Sequence, residues 1–420
     1  MVKSKIPGKE EHPLNEVGTP PYQMRYRWVM LALVWLSYFI FGLISHSLAP
    51  LITPILKDLN ISYSLMGIIL GSWPLSFLAF SAIAGAIIDR WGISKSLFAG
   101  LIIVGLSESL RYFANGFTTL LICVALYGVG SPLIAISAPK MVSLWFQERG
   151  RGIAVGIYMT GPWVGGLVAY STANSIIMPL TGYSWRLTFV CFGLLAFVTA
   201  VLCWFLAKDT RPTEATGSTK ILQLFGSLIR IWNIRIILIM GLFLFAIGHG
   251  FSDWLPKILE ASGLPPTIAG FAASIPLLFS IPALLTIPRL VTPRLRGRIV
   301  AIISLAVAII LLMVVMGSGA TLVAGLVLYG LSFCSIMPLL ILILMDTPEI
   351  GSRYMGSATG LFLAVAEIGG FAGPFIVGAI KDLTGDFLIG AIFLAGAALA
   401  LSIMALFLKS KPATDVKDVS

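Results

Sequence analysis

The chain contains its own sequence twice. Leu126-Tyr127-Gly128 returns as Leu328-Tyr329-Gly330, 202 residues later, and Ser72-Trp73-Pro74-Leu75 returns at the same offset as Ser274-Ile275-Pro276-Leu277. Gly165-Gly166 returns as Gly369-Gly370, an offset of 204, and His46 as His249, an offset of 203. Both copies are apolar. Hydrophobic residues make up 58% of the chain and charged residues 11%, against about 25% charged in ordinary globular domains. About twelve stretches reach the roughly 20 residues that a membrane-crossing helix needs. The expected fold is therefore an all-α membrane protein of 12 transmembrane helices in two pseudo-symmetric six-helix halves. Two apolar repeats suit alternating access to a site at their shared midplane, which is a transport architecture.

The domain plan follows. Residues 1–27 form a polar N-terminal tail and 28–207 the first six-helix bundle. A linker follows at 208–231, with a helix near 219–230. Then come the second bundle at 232–408 and a polar tail at 409–420. The first apolar run is too long for the core of a cleaved signal. Cys123, Cys191, Cys203 and Cys334 all fall inside apolar stretches, without metal-ligand spacing or a disulfide framework, so no metal or cofactor is expected.

Charge sets the expected orientation. With both termini cytoplasmic, 23 of the 28 Lys and Arg residues fall on the inner side. Only Lys57, Arg111, Arg186, Lys257 and Lys381 fall on or near the outer side. That bias obeys the positive-inside rule and places a multi-pass protein in the cell membrane. It also accounts for the net charge of +10 without nucleic acid, since the basic residues sit in short loops with no interleaved aromatics. No Walker A loop, nucleophile elbow or His-Glu-x-x-His helix is present, so neither an ATP-driven pump nor a familiar hydrolase is expected. The reading is non-enzymatic.

Between the second and third spans the sequence runs Gly85-Ala86-Ile87-Ile88-Asp89-Arg90-Trp91-Gly92-Ile93-Ser94-Lys95. It resembles the Gly-x-x-x-Asp-Arg-x-Gly-Arg-Lys loop of the major facilitator superfamily, matching at Gly85, Asp89, Arg90, Gly92 and Lys95. The resemblance implies a cytoplasmic latch, with Asp89 capping a helix N-terminus or pairing with Arg149 or Arg151. The second copy, near 287–298, keeps the arginines but lacks the acid. A narrower resemblance joins Trp254-Leu255-Pro256-Lys257-Ile258-Leu259, Gly263, Ala269-Gly270 and Ile281-Pro282-Ala283-Leu284 through Pro288. With Leu110-Arg111, Trp145-Phe146 and Trp185-Arg186, these look like the cyanate/nitroimidazole permease (CynX/NimT-type) branch, which implies small and often anionic solutes.

Ionisable residues inside spans are costly and mark pathways. Glu367 lies near the middle of span eleven among Gly369, Gly370 and Gly373, and its repeat partner is Trp163. A lone carboxyl there suits proton carriage. His46 and His249 occupy equivalent places in spans one and seven, which the pseudo-two-fold axis brings face to face. Asp253 stands one turn after His249, either paired with it or solvated at the outer end of the span. Glu108 and Arg111, three apart, read as a local ion pair near the outer surface. Trp73, Tyr127, Trp163 and Tyr329 are candidate lining aromatics. No Lys or Arg is placed at the cavity midplane; members of the superfamily that the chain resembles bind phosphate esters and nitrate through such arginines, so the resemblance disfavours those substrates.

The expected function is secondary active transport of a small solute, in the anionic case bound by the histidines, by rocker-switch alternating access with proton coupling. The expected partners are the solute, protons or another coupling ion, and the lipid bilayer, and the expected unit is a monomer. Two alternatives stand beside it: a proton-antiport exporter of drugs or amphipathic compounds, and an uncoupled facilitator or transceptor.

Overall fold

The computed structural model describes residues 21–146, 148–209, 228–347 and 350–408. Residues 1–20, 210–227 and 409–420, which hold most of the expected tails, most of the linker and most of the helix expected near 219–230, lie outside the described residues, while 21–27, expected as tail, begin the first helix, Pro21–Ser47. Among the described residues, twelve helices are long and apolar enough to cross a membrane. In the first half they are span 1 (Tyr26–Leu59), span 2 (Tyr63–Trp91), span 3 (Ile93–Phe113), span 4 (Phe117–Trp145), span 5 (Gly150–Leu180) and span 6 (Trp185–Leu206). In the second they are span 7 (Trp232–Ser252), span 8 (Pro266–Ile287), span 9 (Pro293–Met316), span 10 (Gly319–Asp346), span 11 (Ala358–Thr384) and span 12 (Leu388–Leu406).

Connections after the even-numbered spans share one face, called here the basic face because the arginines and lysines collect there; the others share the far face. Spans 1 and 7 both break near the far face. Span 1 passes through a 3₁₀ turn at Ala49–Leu51 before Ile52–Leu59, because Pro50 has no N–H to donate. Span 7 ends at Ser252 and resumes as a short helix, Leu255–Ala261, with Pro256 in its first turn.

The repeat is visible atom by atom. Gly165 of span 5 lies on the Phe39 carbonyl of span 1, and Gly369 of span 11 lies on the Leu242 carbonyl of span 7. Gly128 and Gly330 do the same for spans 4 and 10 against the Trp73 and Pro276 carbonyls. A Cβ at any of these positions would overlap backbone, so glycine sets the helix separation. The seams between the halves repeat too. Gly67 of span 2 abuts Pro374 of span 11, and its counterpart Gly270 of span 8 abuts Tyr170 of span 5. Spans 2, 5, 8 and 11 thus form the interface between halves, while the third span of each triplet stays outside it.

Candidate transport site

Gly369 and Gly373 let span 11 lie directly on span 7, and that approach positions Glu367. The residue is 6% exposed, and its Oε2 is buried without a hydrogen-bond partner. A Cβ built on Gly370 would fall 3.1 Å from Glu367 Oε2 and 3.2 Å from His249 Cδ2. Carboxylate and imidazole therefore border the gap that this glycine leaves. Just past the end of span 7, Asp253 is buried rather than solvated, and its Oδ2 lies 3.5 Å from His249 Nδ1, within ion-pair reach but without an aligned hydrogen bond. Trp73, from the other half, meets the His249 ring edge-on at 5.3 Å between centroids. Two acids, an imidazole and an indole from both halves share one seam.

His46 is held differently. Its Nδ1 lies 2.9 Å from the Gly42 carbonyl and 2.9 Å from Ser45 Oγ, and its ring stands edge-on to Tyr170 at 5.3 Å. Gly166 of span 5 backs it as Gly370 backs His249. The repeat thus reproduces the seat of each histidine. The rings rest on spans 5 and 11 of their own halves and do not stack on each other. Asp253 is within electrostatic reach of both.

The aromatic candidates divide. Tyr127 donates to the Phe41 carbonyl at 2.8 Å and lies 5.3 Å from Trp73. Tyr329 stacks on Phe333 at 5.1 Å and tilts on Phe251 at 4.6 Å, both within the second half. Trp163 packs, half buried, against the core.

The ion pair near the outer surface needs correcting. Arg111 Nη1 does meet Glu108 Oε2, at 2.7 Å, but the two side chains are 2% and 0% exposed. Arg111 also donates to Ser47 of span 1 at 3.2 Å and lies over the Phe189 ring of span 6. It turns inward, and it borders a small cavity with Ser45, Trp73, Tyr127 and, from the second half, Asp253. Arg111 stands at the end of span 3, toward the far face, so it enters the seam without standing at its midplane. Counting residues along span 3 gives depth but not direction; Arg111 opens the short 3₁₀ turn Arg111–Phe113 that ends the span.

The loop after span 2 also differs from expectation. Asp89 pairs with Lys140 of span 4 at 2.7 Å. Arg151 instead donates to the Phe146 and Ser143 carbonyls, closing the end of span 4. The Arg149 side chain lies outside the described residues. The N-terminus of span 3 is capped by Asp209, which accepts from the Ile93 and Ser94 amides at 2.6 and 3.0 Å. Gly92 has φ 86° there, a conformation that favours glycine. Gly85 has open space around it.

Hydrogen bonds that join the halves cluster at the far face. Asp382 at the end of span 11 accepts from the Tyr63 amide at 3.0 Å, the Ser64 amide at 2.7 Å and the Ser64 hydroxyl, covering the start of span 2. Thr53 of span 1 bonds Glu260, and Lys257 donates to Thr53 at 2.7 Å. Tyr170 donates to the Ser252 carbonyl at 2.7 Å. The molecule is closed at that face. Reading the sequence missed these clasps; Ser62, an N-cap just before Tyr63, was the readable half of one.

A profile described as Major Facilitator Superfamily matches residues 34–374. The chain belongs to this superfamily. Among the relatives of this superfamily member, the hexuronate transporter of Bacillus subtilis (strain 168) is 29% identical over 185 residues, which is 43% of each chain. The "Uncharacterized transporter YycB" of the same organism is 24% identical over 88% of this chain and 92% of its own. The "Probable sulfoacetate transporter SauU" of Cupriavidus necator is 23% identical over 93% of this chain and 96% of its own. The match to the hexuronate transporter thus spans less than half of that relative. The superfamily and all three names belong to transport, not to catalysis.

Proposed function

We propose that this superfamily member is a proton-linked carrier of a small organic anion that works by rocker-switch alternating access. The observation that carries the reading is Glu367: a buried carboxyl with an oxygen that lacks a hydrogen bond, beside the His249–Asp253 pair, at the seam that alternating access must open and close. Such a group takes and releases a proton as the seam changes exposure. The imidazoles supply donors to an anion. Two relatives are named for hexuronate and sulfoacetate, both anions, and the resemblance to the cyanate/nitroimidazole branch favours small solutes as well. The basic face is assigned to the cytoplasm by its share of Lys and Arg. On that assignment the conformation is closed outside. The unit proposed is a monomer.

The test is uptake into proteoliposomes under an imposed proton gradient, with galacturonate, tartrate and sulfoacetate as probes. The wild type accumulates at least one of them uphill and collapses the gradient faster in its presence. Glu367→Gln keeps downhill exchange and loses accumulation, because the amide fills the same space without titrating. Uphill accumulation by that variant removes Glu367 as the proton carrier. An identical rate with and without a gradient in the wild type supports the uncoupled facilitator instead.

A further inference from the structure

A second acid is buried beside the pathway, and the mechanism above leaves it idle. Both carboxylate oxygens of Glu108 are buried without a conventionally aligned hydrogen bond, and its partner is Arg111, whose Nε is likewise unbonded. Arg111 borders the cavity that crosses the seam between the halves: Ser45, Trp73 and Tyr127 belong to one half and Asp253 to the other. In this conformation the cavity has room for about one water molecule. It lies on the side where Asp382, Glu260 and Tyr170 hold the halves together. Release of those clasps carries Asp253 away with the second half and widens the cavity against Arg111.

We infer that Arg111 is the anion-binding cation of a subsite formed there, and that Glu108 is the internal carboxylate that the transported anion displaces. The inference rests on the anion-carrier reading above. The ligand class is a small organic carboxylate or sulfonate, with the body of the anion against the Trp73 and Tyr127 rings. The exchange balances simply. The Arg111–Glu108 ion pair opens, an ion pair forms between Arg111 and the substrate anion, and an O–H bond forms on Glu108 with a proton taken from solvent. The guanidinium keeps one anionic partner throughout, and a buried unpaired carboxylate, which is costly, never arises. Other groups facing Glu108 are Cys123 and Tyr127 on span 4 and Ser47 on span 1, with Asp253 across the cavity. Cys123 and Tyr127 are neutral at neutral pH. Asp253 is tied to His249, which leaves Glu108 as the acid that competes directly for Arg111.

The sign follows. Ionised Glu108 competes with the substrate, so affinity falls as pH rises, by up to about tenfold per pH unit for one linked proton. The experiment measures binding of radiolabelled sulfoacetate, tartrate and galacturonate to the purified full chain between mildly acidic and alkaline pH. Glu108→Gln binds with an affinity that no longer depends on pH in this way, near the acidic wild-type value. Glu367→Gln keeps the slope while losing uphill transport. Paired replacement, Glu108→Gln with Arg111→Gln, removes both partners together so that neither is left unpaired, and weakens binding at least about tenfold at every pH. Calorimetry of the wild type in buffers of different ionisation enthalpy adds a measurement independent of any variant: proton uptake accompanies binding. A wild-type slope retained in Glu108→Gln, full affinity in the paired variant, or no proton uptake overturns this inference while leaving the carrier intact. Absence of wild-type binding to all three probes overturns the anion reading and the subsite together.

Discussion

Gly370 is the position where one atom decides the most. It leaves the gap that Glu367 and His249 border, and an added methyl would stand 3.1 and 3.2 Å from them. Those distances are tight enough that the two polar groups must move by a few tenths of an ångström, although the fold need not. Gly370→Ala is therefore expected to insert and fold normally while transport falls severalfold, since small misplacements of reacting groups cost rate steeply. Gly396→Ala in span 12, where open space surrounds the position, is the matched control. There the substitution is neutral or slightly stabilising, because alanine favours the helix. Equal transport in both variants, at equal amounts in the membrane, shows that the gap beside Glu367 has no role. At this scale the sequence was informative about chemistry and poor about direction. Glu367, His249 and Asp253 were identifiable because an ionisable group within an apolar run stands out. The reach of Arg111 was not, because residue spacing along span 3 does not reveal that spans 1 and 6 supply its partners.

At the scale of elements, the contact between span 11 and span 2 is the one to break. The first amides of a helix lack internal partners, and here the carboxylate of Asp382 serves two of them across the seam between the halves. The helix dipole adds to the attraction. Asp382 is largely exposed, so solvent screens the interaction and its worth is about 1 kcal/mol, a factor of about 5 in a two-state population. Asp382→Asn should thus shift the molecule toward the conformation open at the far face. The reading is labelling of a cysteine placed at Ser45, which increases, while stability of the fold changes little. Unaltered labelling means the cap is incidental to the equilibrium. Glu260 bonds Thr53 beside it and limits the size of the shift. None of this was legible in the sequence, because both partners are ordinary helix-end residues some 318 positions apart. Asp89, by contrast, was found through its motif, yet the motif does not say that Lys140 takes it; a lysine one helix away lies outside any local pattern.

For the whole molecule, the repeat offset foretold most of the architecture: twelve spans, two halves, and equivalent glycines at equivalent crossings. Periodicity of that kind survives in sequence because each glycine answers a backbone contact that both halves must make. The offset could not say which face is closed, since a symmetric design supports either state and small, non-repeated contacts choose between them. Alternating access requires that the far-face contacts part once in every cycle. The pair Ser64→Cys and Asp382→Cys tests that requirement directly, because the two side chains already touch and lie on different halves. Oxidation to a disulfide should stop transport by holding spans 2 and 11 together, and reduction should restore it. Cysteines introduced singly should leave the oxidised protein active, which separates the lock from damage to Cys123, Cys191, Cys203 or Cys334. Under the lock, access of an anion from the far side should vanish, because that mouth of the pathway is sealed. Undiminished transport with a fully formed disulfide means that the halves do not separate at this seam, and the rocker-switch cycle would have to be replaced by one in which they stay joined.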